Sequence, residues 1–386
     1  MKKIAVFTGS RANYSSTKTI LKELAGSETI KLINIVGGAA TLQRFGEIDK
    51  VMQSDGLNVD FKFNMHVDGG STADMAKSCG LGTMEIAGIL NNSKPDALVV
   101  VGDRFDVMAP VIAAAYMNIP IIHTMGGEVT GTIDESIRHA ITKFSHLHLV
   151  ANNDAKERII KLGELPKSVI NVGCPRMDLV KEACDNDTLT NEFFHKKYKG
   201  VGERVDIDKD FILVSLHPVT TEINDQRQQT EIMLDALEDY SLPTIMLWPN
   251  FDAGSNDVSK AIRTFREKRK PSWLSVYTNF SVEDYSRLLN RTKCMVGNSS
   301  SAIREGNFLD APSVNIGSRQ NKRIKGLNLI DCDFDKDQIK ECIANRLKYK
   351  RHINPNDLYG DGNAGAKIKK IIENFSINTV QKTITY

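Results

Sequence analysis

The stretch from His123 to His139 concentrates groups that move protons or hold charge. It carries His123, Glu128, Asp134, Arg138 and His139, threaded by Gly126, Gly127 and Gly131. Asp134 and Arg138 are four residues apart, so a helix puts them on one face. That spacing is also an everyday surface ion pair; the company of Glu128 and His123 is what points to chemistry. Upstream, Gly102-Asp-Arg-Phe-Asp106 sets Asp103 beside Arg104, and a carboxylate next to a cation can stay ionised and act as a base. The structural alternative for Asp103 is to cap the helix that follows. Near the N-terminus, Gly9-Ser-Arg-Ala-Asn-Tyr-Ser15 leaves an apolar run and leads into a helix near Ser16. Backbone amides at such a helix start, with Arg11 close by and Ser15 following, suit a phosphate. The segment is not G-x-G-x-x-G, which disfavours a nicotinamide-type dinucleotide site.

The second half carries a matching set. His217 follows the apolar run Phe211-Ile-Leu-Val-Ser215. A lone histidine is more often structural than catalytic, but here it is expected at a strand end facing the carboxylates of the first half. Gly297-Asn-Ser-Ser-Ser301 opens a helix with Glu305 one turn on. Ser299, Ser300 and the helix amides suit a diphosphate, and Glu305 can accept two ribose hydroxyls. Arg319 and Asn250 complete the rim. Tyr359-Gly-Asp-Gly-Asn363 is another turn at the site or only the start of a helix.

What must position these groups is legible as alternation. Short apolar runs at 4–7, 31–36, 97–101, 120–122, 146–150, 211–215, 244–248, 293–296 and 313–316 alternate with amphipathic stretches. Runs of that kind are what a parallel sheet covered on both faces requires. The fold class is α/β, with two Rossmann-like doubly wound domains facing a central cleft and ligands at the carboxyl ends of the strands. The rhythm breaks in the charged region from about 178 to 210. The expected division is a first domain over 1–178, a second over 179–364 that binds the nucleotide, and a C-terminal helix and tail over 365–386 that could pack back on the first.

Composition narrows the classes. Of 386 residues, 41% are hydrophobic and 25% charged, which excludes disordered and fibrous readings. Fifty Lys and Arg against 48 Asp and Glu leave +2, so nothing in the overall charge points to nucleic acid or an anionic membrane. No apolar run approaches the roughly 20 residues of a membrane span, and the N-terminal apolar run stops after four residues, too short for a signal peptide. A cytoplasmic protein is expected. The six cysteines form no Cys-x-x-Cys and sit in no His-rich tract, so a structural zinc or thioredoxin-like site is disfavoured and reduced, mostly buried thiols are expected. Neither a metal requirement nor a cofactor is expected, because no His/Cys/Asp cluster has ligand spacing.

Taken together, and in order from about residue 1 to 370, these blocks resemble the UDP-N-acetylglucosamine 2-epimerase family, in its hydrolysing branch. The blocks are Gly9-Ser-Arg-Ala, Gly102-Asp-Arg, Gly126 to His139, His217-Pro218, Asn250 to Ser255, Gly297-Asn-Ser-Ser300, Gly317-Ser-Arg-Gln320 and Tyr359 to Asn363. The resemblance implies the two-domain fold shared with GT-B glycosyltransferases, nucleotide in the second domain, sugar between the halves, and a homodimer or homotetramer. It matches Asp103 and Asp134 to acid/base carboxylates and His217 to the active-site histidine. Arg11, Ser299, Ser300, Glu305 and Arg319 match nucleotide contacts, Arg138 is expected on the diphosphate, and Ser15, Arg104 and Asn250 on the substrate. Two departures stand out: Met125 where many members carry His or Glu, and Ala39-Ala40 where many have Met-His. Methionine cannot transfer a proton, so that role is absent here or falls to Glu128 or His123. The implied substrate is UDP-N-acetylglucosamine or a related UDP- or GDP-linked 2-acetamido sugar, giving an N-acetylmannosamine-type sugar on the way to nonulosonic acids. A GT-B-type glycosyltransferase and a non-catalytic sugar-nucleotide sensor are the alternatives.

Overall fold

The apolar runs become the strands of two parallel sheets in a computed structural model, which describes residues 1–42, 47–67, 72–129, 133–219, 222–249, 254–352, 358–376 and 380–385. The chain divides into two units, Met1–Leu179 with Tyr359–Tyr386, and Val180–Leu358. The first holds β1 (Lys2–Thr8), β2 (Ile30–Val36), β3 (Phe61–Lys62), β4 (Ala97–Val101), β5 (Ile121–Thr124), β6 (Leu147–Val150) and β7 (Val169–Asn171). Their order across the sheet is β3-β2-β1-β4-β5-β6-β7. The second holds β8 (Ile212–Ser215), β9 (Thr244–Leu247), β10 (Leu274–Tyr277), β11 (Cys294–Gly297), β12 (Ser313–Ile316) and β13 (Leu329–Cys332), in the order β10-β9-β8-β11-β12-β13. Both are Rossmann-like, doubly wound sheets. The strand order reverses between β1 and β4 in one and between β8 and β11 in the other, and the crevice at such a reversal is where ligands bind in open α/β sheets.

Burial on both faces explains why the central strands are continuous apolar runs. Ile4 to Phe7 of β1 and Leu98 to Val100 of β4 have no exposed surface, and Leu213 and Val214 of β8 and Val296 of β11 repeat the pattern. Four strands lie outside the sequence expectation: β3, β7, β10 and β13. All four are sheet edges. The free side of β10 is partly occupied by Val201, which exchanges backbone hydrogen bonds with Val276 (2.8 and 3.0 Å), a way of blunting an open edge.

The first division falls after Leu179, one residue from the expected 178 and inside the helix Pro175–Asp185, whereas the second boundary needs correction. Tyr359 to Asn363, expected in the second domain, lie with the first. There the Cys174 amide donates to the Tyr359 carbonyl (2.8 Å) and two glycines meet, for a Cβ on Gly173 would stand 2.9 Å from the Gly360 Cα. Asp178 then accepts from the amides of Ala364 and Gly365 (2.8 and 2.7 Å), capping the helix Ala364–Asn374. That helix packs on Arg11–Ala25, and at its other end Lys2 Nζ donates to the carbonyls of Ile372, Glu373 and Phe375.

The last described residues are tied down around one buried carboxylate. Glu164 is 4% exposed and takes Lys143 (2.7 Å), Lys382 (2.7 Å) and His148 Nε2 (3.2 Å). Burial pushes its carboxyl up, but the hydrogen bonds from His148, Lys143 and Lys382 outweigh that and hold it down at about 2, against an ordinary 4.5. A depressed carboxyl stabilises the fold above its ordinary value, and that contribution is lost as pH falls toward the folded value. Glu164→Gln should therefore cost about 3 kcal/mol at pH 7. The gap to wild type in thermal melts should narrow as pH drops below 4.5. A gap that stays constant across that range would show that the charge on Glu164 contributes nothing.

Candidate active site

In the first unit the turn after β1 is built to approach other backbone closely. Ser10 caps the helix Arg11–Ala25, accepting from the Asn13 amide (3.1 Å). Asn13 in turn accepts from the Gly9 amide (3.2 Å) and donates to the Val101 carbonyl (2.8 Å), stitching the ends of β1 and β4 together. Arg11 is exposed at the first position of the helix. Ser15 lies elsewhere: it is buried and its hydroxyl accepts from Arg176 (2.8 Å). It stands within the helix Arg11–Ala25, past the turn. The loop after β2, where Ala39 and Ala40 stand, rests on the same turn, with the Ala40 amide donating to the Gly9 carbonyl (3.0 Å).

The turn after β4 presents Asp103 and Arg104. The cap position of the helix Phe105–Tyr116 belongs to Arg104, and no side chain caps it, so the capping role considered for Asp103 is not the one it plays. Asp103 pairs instead with Arg138 Nη2, and Arg138 Nη1 donates to the Glu128 carbonyl (2.5 Å). The Arg138 side chain is 3% exposed and that of Asp103 24%. Arg138, expected on a diphosphate, is thus turned to the carboxylate of the neighbouring strand end. One buried guanidinium joins the Asp103 turn, the Glu128 loop and the helix Ile133–Phe144. Asp134 is half-buried in the first turn of that helix, where the helix dipole favours a negative charge. Arg104 reaches toward Asp106 (3.5 Å), a fully buried carboxylate that burial pushes up despite the guanidinium.

The loop from β5 carries Met125, one of the two departures noted in the sequence. Met125 is 8% exposed and adopts a left-handed conformation at φ 60°. A non-glycine residue there costs of order 1 kcal/mol or more, and such strain gathers at functional sites. Gly127 has no alternative: at φ 77°, a Cβ would stand 2.5 Å from the Ala155 carbonyl oxygen. His123 is wholly buried, with Nε2 on the Gly102 carbonyl (2.8 Å). Burial pushes its imidazole down to about 3, the carbonyl bond only partly opposing this. Its neutral ring braces β5 against β4. Glu128 is half-buried on the same loop.

In the second unit, the turns after β8 and β11 face each other within the same sheet. His217 Nε2 lies 3.2 Å from Ser215 Oγ, and the ring is half-buried. Asn298, which follows β11, accepts from the His217 amide (2.7 Å) and donates to the His217 carbonyl (2.8 Å). Ser299 caps the short turn Ser300–Ala302, and its hydroxyl meets that of Ser301 (2.9 Å), which meets Tyr285 OH (2.7 Å). Glu305 is 6% exposed at the head of Glu305–Phe308. Arg319 Nη1 and Gln320 Nε2 both donate to the Asn298 carbonyl (3.3 and 2.9 Å). The structure therefore gathers His217, Ser299, Ser300 and Arg319 around one residue, Asn298, whose part nothing in the sequence pattern marks. Asn250 lies outside the described residues.

The arrangement offers carboxylates and a guanidinium at the switch point of one sheet, and hydroxyls, amides and an arginine at that of the other. Among the described residues no group of three or more His, Cys, Asp or Glu could hold a metal ion, and no described helix is long and apolar enough to cross a membrane. The family profile described as UDP-N-acetylglucosamine 2-epimerase matches residues 22–373. A Legionella pneumophila protein named UDP-N,N'-diacetylbacillosamine 2-epimerase (hydrolyzing) is 30% identical, over 98% of this chain and 97% of its own. An Escherichia coli protein named polysialic acid biosynthesis protein P7 is 31% identical, over 88% of this chain and 84% of its own. Among solved structures, UDP-GlcNAc 2-epimerase from Neisseria meningitidis bound to UDP-GlcNAc shares the fold with a TM-score of 0.81 at 16% identity, covering 97% of this chain and all of that one.

Proposed function

Because this chain belongs to the UDP-N-acetylglucosamine 2-epimerase family, we propose that it is the hydrolysing kind, converting a UDP-linked 2-acetamido sugar to the free C2 epimer and UDP. Inverting C2 without a redox cofactor requires removing a poorly acidic proton. Coupling that to loss of the nucleotide solves the problem. A carboxylate takes the C2 proton as the C1–oxygen bond breaks toward the diphosphate, leaving a 2-acetamidoglucal. Water then adds at C1 and a proton returns to C2 from the opposite face. Two carboxylates with different protonation states are needed, and Asp103 and Asp134 fill those roles. His217 orients water or stabilises charge in the elimination. The departing diphosphate is met by hydroxyls, amides and cations, which are worth a few kcal/mol per donor in a dry site; Ser299, Ser300, Arg319 and Arg11 serve there, with Glu305 on the ribose.

The observation that carries this reading is the buried Arg138, which ties the Asp103 turn to the helix bearing Asp134. A guanidinium spent on fixing a carboxylate at a sheet's switch point is preorganisation for proton transfer. The sugar is proposed to be a 2,4-diacetamido or N-acetylglucosamine-type donor, since the Legionella relative is named for the former and Met125 and Ala40 reshape the family pattern nearby. The products suit the start of nonulosonic acid synthesis.

Incubating the protein with UDP-N-acetylglucosamine and with UDP-N,N'-diacetylbacillosamine, without acceptor and in D₂O, tests the reading. The expected outcome is one UDP per free sugar, with deuterium at an inverted C2. UDP release that leaves C2 protonated and uninverted would mean plain hydrolysis at C1, and UDP release only on adding an acceptor would mean glycosyl transfer.

A further inference from the structure

His217 is held at three points, and two of them belong to one side chain. Asn298 accepts from its backbone amide and donates to its backbone carbonyl, at 2.7 and 2.8 Å, while Ser215 Oγ meets the ring at 3.2 Å. A primary amide is the group that can accept and donate side by side in this way. Asn298 is 1% exposed, so both bonds are sheltered from water and costly to leave unmade. Pro218 follows His217, which already restricts the histidine backbone to extended conformations. With both backbone groups clamped as well, the origin of the imidazole is fixed.

The same residue is also the first of the anion loop. Its amide donates to the Ser215 carbonyl (3.2 Å), and its carbonyl takes Arg319 Nη1 and Gln320 Nε2. The approach is close enough that Gly297, at φ 136°, could bear no side chain: a Cβ would stand 2.2 Å from the Ser215 carbonyl oxygen. Ser299 and Ser300 follow directly. Any ligand that draws on Ser299, Ser300 or Arg319 therefore pulls on the residue that clamps His217.

We propose that Asn298 is a positioning residue that orients the His217 imidazole through its backbone and couples it to occupancy of the Ser299–Arg319 loop by a nucleoside diphosphate. The proposal rests on the reading of His217 and that loop given above. It makes a pyrophosphate-bearing ligand part of the machinery that aims the histidine, so that binding the nucleotide adjusts the ring through the clamp that already holds it.

The test uses the full chain with ¹³C-labelled histidine, the His217 signal being assigned with His217→Gln. In wild type, UDP should shift the His217 resonance and its titration. In Asn298→Ala the free-state resonance should move and the UDP-induced shift should be lost. Turnover should fall by about 10²-fold, as expected for a reacting group displaced by an ångström, with UDP affinity by calorimetry reduced by less than tenfold. Asn298→Asp, which keeps the acceptor but turns a carboxylate oxygen on the His217 carbonyl, should show the same pattern and serves if the alanine variant does not fold. Equal losses in turnover and UDP affinity, or a His217 signal indifferent to both the substitution and UDP, would overturn the proposal. If wild type releases no UDP from either sugar nucleotide, the reading of function fails, while the resonance experiment still decides whether the clamp couples nucleotide to histidine.

Discussion

Asp103→Asn should lower turnover by about 10²–10⁴-fold while leaving UDP affinity within a few-fold of wild type. Asparagine keeps the shape and can still accept from Arg138, so geometry at the end of β4 is conserved. What disappears is the ability to take a proton. The residue stands just after β4, beside the switch point, with its side chain 24% exposed, open enough to meet a substrate and sheltered enough to be held in place. The assay is UDP release under saturating sugar nucleotide, with wash-in of deuterium at C2 followed in parallel. Loss of wash-in together with turnover assigns Asp103 to the proton step. Activity within tenfold of wild type in a folded variant would remove Asp103 from that step and leave Asp134 or Glu128 to carry it.

Arg138→Met is expected to have the second largest effect, and on two observables at once. The arginine side chain is 3% exposed and serves both Asp103 and the Glu128 carbonyl. Removing one partner of a buried ion pair costs about 3 kcal/mol or more, because the other charge is stranded. Turnover should fall by about 10²-fold as well, since the carboxylate loses the group that aims it. The two substitutions touch the same pair, so their effects should not add. In Asp103→Asn/Arg138→Met the turnover should be close to that of Asp103→Asn alone, a coupling of about 2–3 kcal/mol. Additive losses would show that Arg138 acts elsewhere, for instance on the diphosphate as the sequence pattern implies.

The family, the fold class and the strand-end location of the polar groups are all legible in the order of residues. The reason is that central parallel strands are buried on both faces, which leaves Ala97 to Val101 or Ile212 to Val214 no choice but to be apolar. The turns that follow must then hold the polar residues, because nothing else in such a sheet is free to. Edge strands are another matter. Val169–Asn171 and Leu329–Cys332 present partly exposed polar positions, since an edge is paired on one side only, and no alternation marks them.

The pairing of side chains was decided only by the tertiary structure. His123, Arg138 and Ser15 all stand in sequence as polar groups in the segments around and after the strands. Packing separates them: His123 of β5 lies opposite Val100 of β4, which brings its ring to the Gly102 carbonyl and buries it. Arg138 turns to Asp103, 35 residues away, and Ser15 to Arg176, 161 away. The return of Tyr359–Tyr386 to the first unit and the clamp of Asn298 on His217 are of the same kind. A sequence determines which groups must leave the core and where along the chain they emerge, because burial is a property of each residue. It does not determine which of those groups meet, because a hydrogen bond is a property of two residues and of the packing that sets the distance between them.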